Sequence, residues 1–145
     1  MNKDVAVYCR LFKYLTLFMY GGIIYYHIEI AWRGHSHHSM VIAGGICFLL
    51  IGALNNYLPW NLGLVYQSLI GALIITIIEL IVGLIVNIWL GLAVWDYSGL
   101  PLNLWGQISL PFTLLWVPLA AVGIFLDDFL RLKLFGQTME GYSLF

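Results

Sequence analysis

Charge is what this sequence has least of. Only 9% of its 145 residues are Asp, Glu, Lys or Arg, against about 25% in an ordinary soluble domain. Such a chain cannot cover its own surface with polar groups, and 62% of it is hydrophobic, so it reads as an integral membrane protein. The formal net charge is -1 and there is no basic tract, which removes the usual reasons to expect nucleic acid as a partner. Cysteine is scarce too. Cys9 and Cys47 have no CxxC or Cys/His spacing around them, so both read as small apolar residues. The nucleotide-binding GxxxxGK[ST], the nucleophile motif GxSxG, the zinc motif HExxH and the dinucleotide motif GxGxxG are all missing. Neither a soluble-type enzyme nor a resident cofactor is expected. The polar Met1–Arg10 segment has no cleavage motif after it, so the first apolar run reads as an anchor rather than a leader.

What is there is apolar and long. A helical span needs roughly 20 mostly apolar residues, and four such runs occur at about 11–31, 40–58, 63–92 and 106–126. The expected fold is all-α: one polytopic transmembrane domain over 1–145 with four helices. Lys3, Arg10 and Lys13 precede the first run, Arg131 and Lys133 follow the fourth, and Arg33 alone falls at the other side. Positive residues favour the cytoplasm, so both termini are predicted there. The loops "WRGHSHHS" and "VWDYSGLPLN" then emerge together on the outer side and can meet.

The third run carries a pattern. Ser68, Ala72, Thr76, Glu79, Gly83 and Asn87 recur every three or four residues, one stripe of small and polar side chains on a helix otherwise Ile, Leu and Val. Such a stripe faces other helices, where small residues permit close approach and polar ones find partners. Glu79, near the middle of the run, is the residue of most interest. Either it is a paired carboxyl that locks helix register, with Asn55, Asn56 or Gln67 as donors, or it is a site for a cation, a proton or a polar substrate group. Glu29 has (i, i+4) spacing to Arg33, which reads as an ion pair near the outer end of the first helix, with membership of the outer cluster as the alternative. Asp96, Asn103 and Gln107 extend the polar surface: Asp96 as its outer lip, the two amides at the start of the fourth helix.

His35, His37 and His38 raise the question of metal. One HxHH tract is a weak ligand set, and the preferred reading is a polar interfacial loop without metal. Trp60, Trp89, Trp95 and Trp105 read as interfacial anchors. Pro111 and Pro118, seven apart in the fourth run, are each expected to free a carbonyl. "LDDFLRLKLF", with Asp127 and Arg131 in pair spacing, reads as an interfacial helix end.

The segments "RGHSHHSM", "ITIIELIVGLIVNIWLGLAVWDYSGLPLNLWGQISLPF" and "FLDDFLR" resemble the small bacterial membrane proteins grouped as an ABC transporter permease family, also called type IV ABC-transporter-like. The likeness runs from Trp32 to Arg131. It is strongest in Glu79, Gly83 and Asn87, in Trp95 to Ser98, in Asn103, Gly106 and Gln107, and in Asp127, Asp128 and Arg131. The chain departs from the family at the extra histidines and at Leu80, where an aromatic is expected. The resemblance implies a multi-pass protein of the bacterial plasma membrane, a separate ATPase partner and a homo- or hetero-oligomer. Glu79, Asn87, Asp96, Asn103, Gln107 and Glu29 are then expected to line a polar path open to the outside. The competing readings are a non-transporting scaffold or partner-binding protein with the same residues as a buried network, and an intramembrane enzyme for a lipid or prenyl substrate.

Overall fold

The computed structural model describes residues 3–54, 58, 62–138 and 142–144. Helix α1 spans Lys3–Arg33, α2 His38–Gly52, α3 Leu64–Gly83 and α4 Leu110–Phe135. The backbone of α3 continues for six more residues, Leu84–Trp89, as π-helix. Two short strands, β1 Asn103–Leu104 and β2 Ile108–Ser109, pair antiparallel just before α4. The chain is mostly helical.

Local chemistry sets the helix ends. The Arg33 turn stops at Gly34, which takes φ +78°, a value that costs glycine little. His37 then caps α2, its Nδ1 accepting from the Ser39 N–H at 3.2 Å. Gly136, at φ +64°, closes α4 by turning its N–H to the Leu132 carbonyl at 3.1 Å, and Gln137 N–H reaches back to Arg131 O. At the start of α3 no side chain acts as a cap. Instead Leu64 and Val65 N–H donate to the carbonyls of Ser143 and Leu144, so the end of the chain satisfies donors that a helix start leaves open.

Two hairpins of helices make the bundle: α1 packs along α2 and α3 along α4, while α2 also reaches both α3 and α4. Between α1 and α4 there is little contact. Close approach of α1 and α2 depends on glycine at four places: Gly21 lies against Phe48 and Gly22 against Val41, while a Cβ on Gly44 or Gly45 would fall 2.5 Å from Tyr25 Cβ or 2.7 Å from the Phe18 ring. Gly71 does the same for α3 and α4, with Ala120 Cβ at 2.9 Å. The outward face of α3 is apolar, as is that of the first half of α4. Leu73 and Ile77 on α3, and Leu114 and Val122 on α4, are all more than half exposed.

Both α3 with its π-helical end (Leu64–Trp89) and α4 are long and apolar enough to cross a membrane. The 15 residues of α2 rise about 22 Å at 1.5 Å per residue. Helix α1 has the length, with 31 residues, but Tyr25, Tyr26, His27 and Glu29 dilute its apolar character. At one end of the bundle lie the early turns of α1, the start of α3 and the end of α4, tied by Lys13 Nζ to Gln137 Oε1 at 3.4 Å and by Leu17 packing with Leu130 and Phe135. At the other end, Arg33 Nη1 donates to Val94 O at 2.9 Å, joining the first loop to the third.

Element bounds differ from the sequence reading in instructive ways. The fourth helix starts at Leu110 rather than near residue 106, because Trp105 and Gly106 take φ +52° and +70° and turn β1 into β2, with Gln107 N–H closing on Leu104 O. It runs on through Asp127 and Arg131 to Phe135. Pro111 sits in its first turn, where the missing N–H costs no hydrogen bond, so only Pro118 interrupts the ladder. α1 begins at Lys3, well before residue 11.

Candidate functional site

The stripe on α3 faces inward as its spacing required. Ser68, Ala72, Glu79 and Gly83 are buried and Thr76 and Asn87 half-buried, whereas Leu69, Leu73, Ile77, Ile81, Ile85 and Ile88 point out. Ser68 bonds back to Leu64 O, and Thr76 Oγ1 meets Thr113 Oγ1 of α4 at 3.2 Å.

Glu79 is only 7% exposed. Its two oxygens each accept one hydrogen bond from an aromatic donor: Oε1 from the Tyr97 hydroxyl at 2.9 Å, Oε2 from Trp116 Nε1 at 3.0 Å. Burial and the neighbouring Glu79 carboxylate hold the Tyr97 hydroxyl well above the ordinary phenol range, so it stays protonated and stays a donor. Neither donor is Gln67, the one described residue among the amides expected from sequence. Gln67 instead donates to Leu62 O, and Asn55 and Asn56 lie outside the described residues. Among the described residues no cation stands within ion-pair distance of Glu79.

A row of rings continues from this carboxyl. Tyr25 and Trp116 have centroids 6.1 Å apart, Trp116 and Phe112 6.3 Å, and Tyr97 stacks on Phe112 at 4.3 Å. Behind Glu79 is an apolar cavity of about 120 Å³, walled by α1, α2, α3 and α4 through Tyr25, Cys47, Ile78 and Trp116 among others. A larger groove of about 560 Å³ lies between α1 and α4, where those helices diverge. Tyr25, Ile28, Trp116, Leu119 and Val122 line both, so the cavity is the floor of the groove. Glu29, Trp32 and Arg33 stand at the groove's loop end.

There Glu29 is saturated. It pairs with Arg33 Nη2 at 2.9 Å, as the spacing foretold, accepts from Ser36 Oγ, and takes a long bond of 3.4 Å from the Tyr25 hydroxyl. Arg33 is also bonded to the His35 and Val94 carbonyls.

Asn87 organises the outer half of the stripe. Its Nδ2 donates to Trp95 O at 3.1 Å and to Gln107 Oε1 at 2.8 Å, while its Oδ1 accepts from Val94 N–H at 2.6 Å. Trp95 Nε1 closes the ring by donating to Gln107 O at 2.9 Å. Gly83 leaves the room, for a Cβ there would sit 2.6 Å from Gln107 Oε1. Gln107 is therefore deep in the knot, on the β-turn and not on a helix. Asp96 and Asn103 are exposed and act within their own loop. Asp96 accepts from Ser98 N–H and hydroxyl at 2.8 and 3.0 Å; Asn103 donates to the Ser98 and Leu100 carbonyls. Neither carboxylate nor amide turns toward Glu79, so the expected line of six residues separates into the Glu79 cluster, the Glu29 pair and a loop knot.

A profile of the family described as "Putative ABC-transporter type IV" matches residues 16–140. The chain belongs to this family. The match takes in all of this family member's Glu79 cluster, its groove and its loop knot, and the protein is a transporter-related membrane protein. No curated protein and no solved structure matches it.

The histidines of this ABC-transporter family member are used singly: His35 Nδ1 against Arg33 O, His37 as helix cap, His38 stacked on Tyr26. Among the described residues no three His, Cys, Asp or Glu side chains are grouped as a metal would need. Asp127 and Arg131 do pair, at 2.5 Å, but the pair is buried, with Asp127 fully enclosed against Gly52 of α2 rather than at an exposed helix end. Asp128 is bonded by the Tyr142 hydroxyl. Sequence reasoning missed Tyr97, Trp116 and Gly52. A tryptophan in mid-helix and a glycine opposite the acid were the available signals, since a buried indole N–H needs an acceptor.

Proposed function

We propose that this chain is the membrane subunit of an ABC-type transporter, crossing the bacterial plasma membrane four times with both termini in the cytoplasm. In this reading it is not an enzyme; it works as a homo- or hetero-oligomer with a separate ATPase subunit. Family membership supports the transporter part. The placement of Lys13, Arg131 and Lys133 at one end of the bundle, with Arg33 at the other, supports the orientation. The observation that carries a substrate path is the groove between α1 and α4 with Glu79 on its floor.

The path so proposed runs along that groove. For Asn87, Asp96, Asn103 and Gln107 the alternative, structural role has the better support, because each polar group of the knot already has a partner inside it. The test is purification of the tagged full chain from its own membranes in a mild detergent. The expected result is co-purification of a subunit carrying GxxxxGK[ST], with ATP hydrolysis that depends on it. Recovery of the chain alone, also after crosslinking in the intact membrane, would leave the scaffold reading standing.

A further inference from the structure

We propose that the groove between α1 and α4 is a binding site for a lipophilic organic cation, whose charged centre pairs with Glu79 and whose apolar body lies against the aromatic row. The inference rests on reading the groove as a substrate path. Four observations converge on that ligand class. Glu79 is buried and carries no cationic partner among the described residues. Tyr97 and Trp116 fill only two of the about four acceptor positions a carboxylate offers. A carboxyl so placed is costly to ionise within hydrocarbon, and a positive charge brought to it offsets that cost.

The rings supply the second attraction. Tyr25, Trp116, Phe112 and Tyr97 form one continuous aromatic wall from the floor to the groove. Aromatic faces within about 6 Å of a cation attract it, and they favour quaternary centres that cannot be satisfied by hydrogen bonds. The third observation is size. At about 560 Å³ the groove takes a drug-sized body, while the 120 Å³ floor admits one of its groups and so brings the charged centre up to Glu79. The fourth concerns sign. Among the described residues, Arg33 is the one cationic side chain lining the groove, and it is already bonded to Glu29, His35 O and Val94 O, so it does not recruit an anion. A carboxyl on the floor that has no cationic partner among the described residues, and that ionises as a cation reaches it, therefore decides which ligand is taken.

Tetraphenylphosphonium and tetraphenylborate have the same shape and opposite charge, which makes them the probes. The full chain in phosphatidylcholine nanodiscs is dialysed against each, with empty nanodiscs subtracted for partition into lipid. The expected result is saturable binding of tetraphenylphosphonium alone, weakened at least about tenfold by Glu79→Gln. Leu119→Trp, which fills the wall shared by floor and groove, should abolish it while leaving Glu79 in place. Equal binding of both probes, no excess over empty nanodiscs, or full affinity in folded Glu79→Gln overturns the proposal. Should Glu79→Gln fail to fold, unchanged binding in Leu119→Trp overturns it by itself. No ATPase takes part in this measurement. Failed binding beside intact co-purification rejects the ligand class only, and intact binding without co-purification rejects the transporter assignment only.

Discussion

A carboxylate held by two aromatic donors is a different object from one held by amides. Among the described residues Trp116 N–H finds its acceptor in Glu79, and Tyr97 is held protonated by the same buried surroundings. Trp116→Phe and Tyr97→Phe should therefore each destabilise the protein by about 1–3 kcal/mol, because each leaves a buried oxygen short of a partner. Thermal unfolding in detergent reads this, and the double variant should lose less than the sum, since both act on one carboxyl. Glu79 itself was legible in the sequence, because an acid within a stripe of small residues must turn inward with that stripe to escape hydrocarbon. Its donors were not, because they lie 18 and 37 residues away and aromatic residues near span ends are more often interfacial anchors. Nor does spacing reveal that Asp127 would be enclosed by a glycine on another helix.

At the scale of elements, hydropathy found all four helices but misplaced their ends where backbone handedness changes. Positive φ at Trp105 and Gly106 makes a β-turn out of residues that composition alone would place in the first turn of α4. The π-helical turn at Leu84–Trp89 likewise leaves no mark on apolar periodicity. It ends α3 where Asn87 gathers Val94, Trp95 and Gln107, a coupling of helix end to hairpin that depends on the absent side chain of Gly83. Gly83→Ala should push Gln107 off Asn87 and cost about 1–3 kcal/mol in the same unfolding assay. Adding Gln107→Ala to Gly83→Ala should then cost less than Gln107→Ala does in the unchanged chain. Full additivity would show that the two positions do not press on one another.

Across the whole molecule, the two ends of the bundle carry different chemistry, and the sequence announced this through where its few lysines and arginines fall. The structure adds that the first and third loops meet through Arg33 and Val94, where the sequence suggested histidines and Asp96. Gly99 has open space around it in the third loop, and Cys9 is exposed near the opposite end. With a membrane-impermeant maleimide on intact cells, Gly99→Cys should be labelled and Cys9 protected until the membrane is opened. The reverse pattern would invert the proposed orientation.

In the proposed four-span arrangement, a groove between two diverging membrane helices opens sideways, toward hydrocarbon. A ligand of the proposed site would then arrive from dissolved stock in the bilayer, and the quantity that governs occupancy would be its mole fraction in lipid. Doubling the membrane at fixed total compound should halve the effective dose, and two compounds of equal intrinsic fit should rank by how strongly they partition.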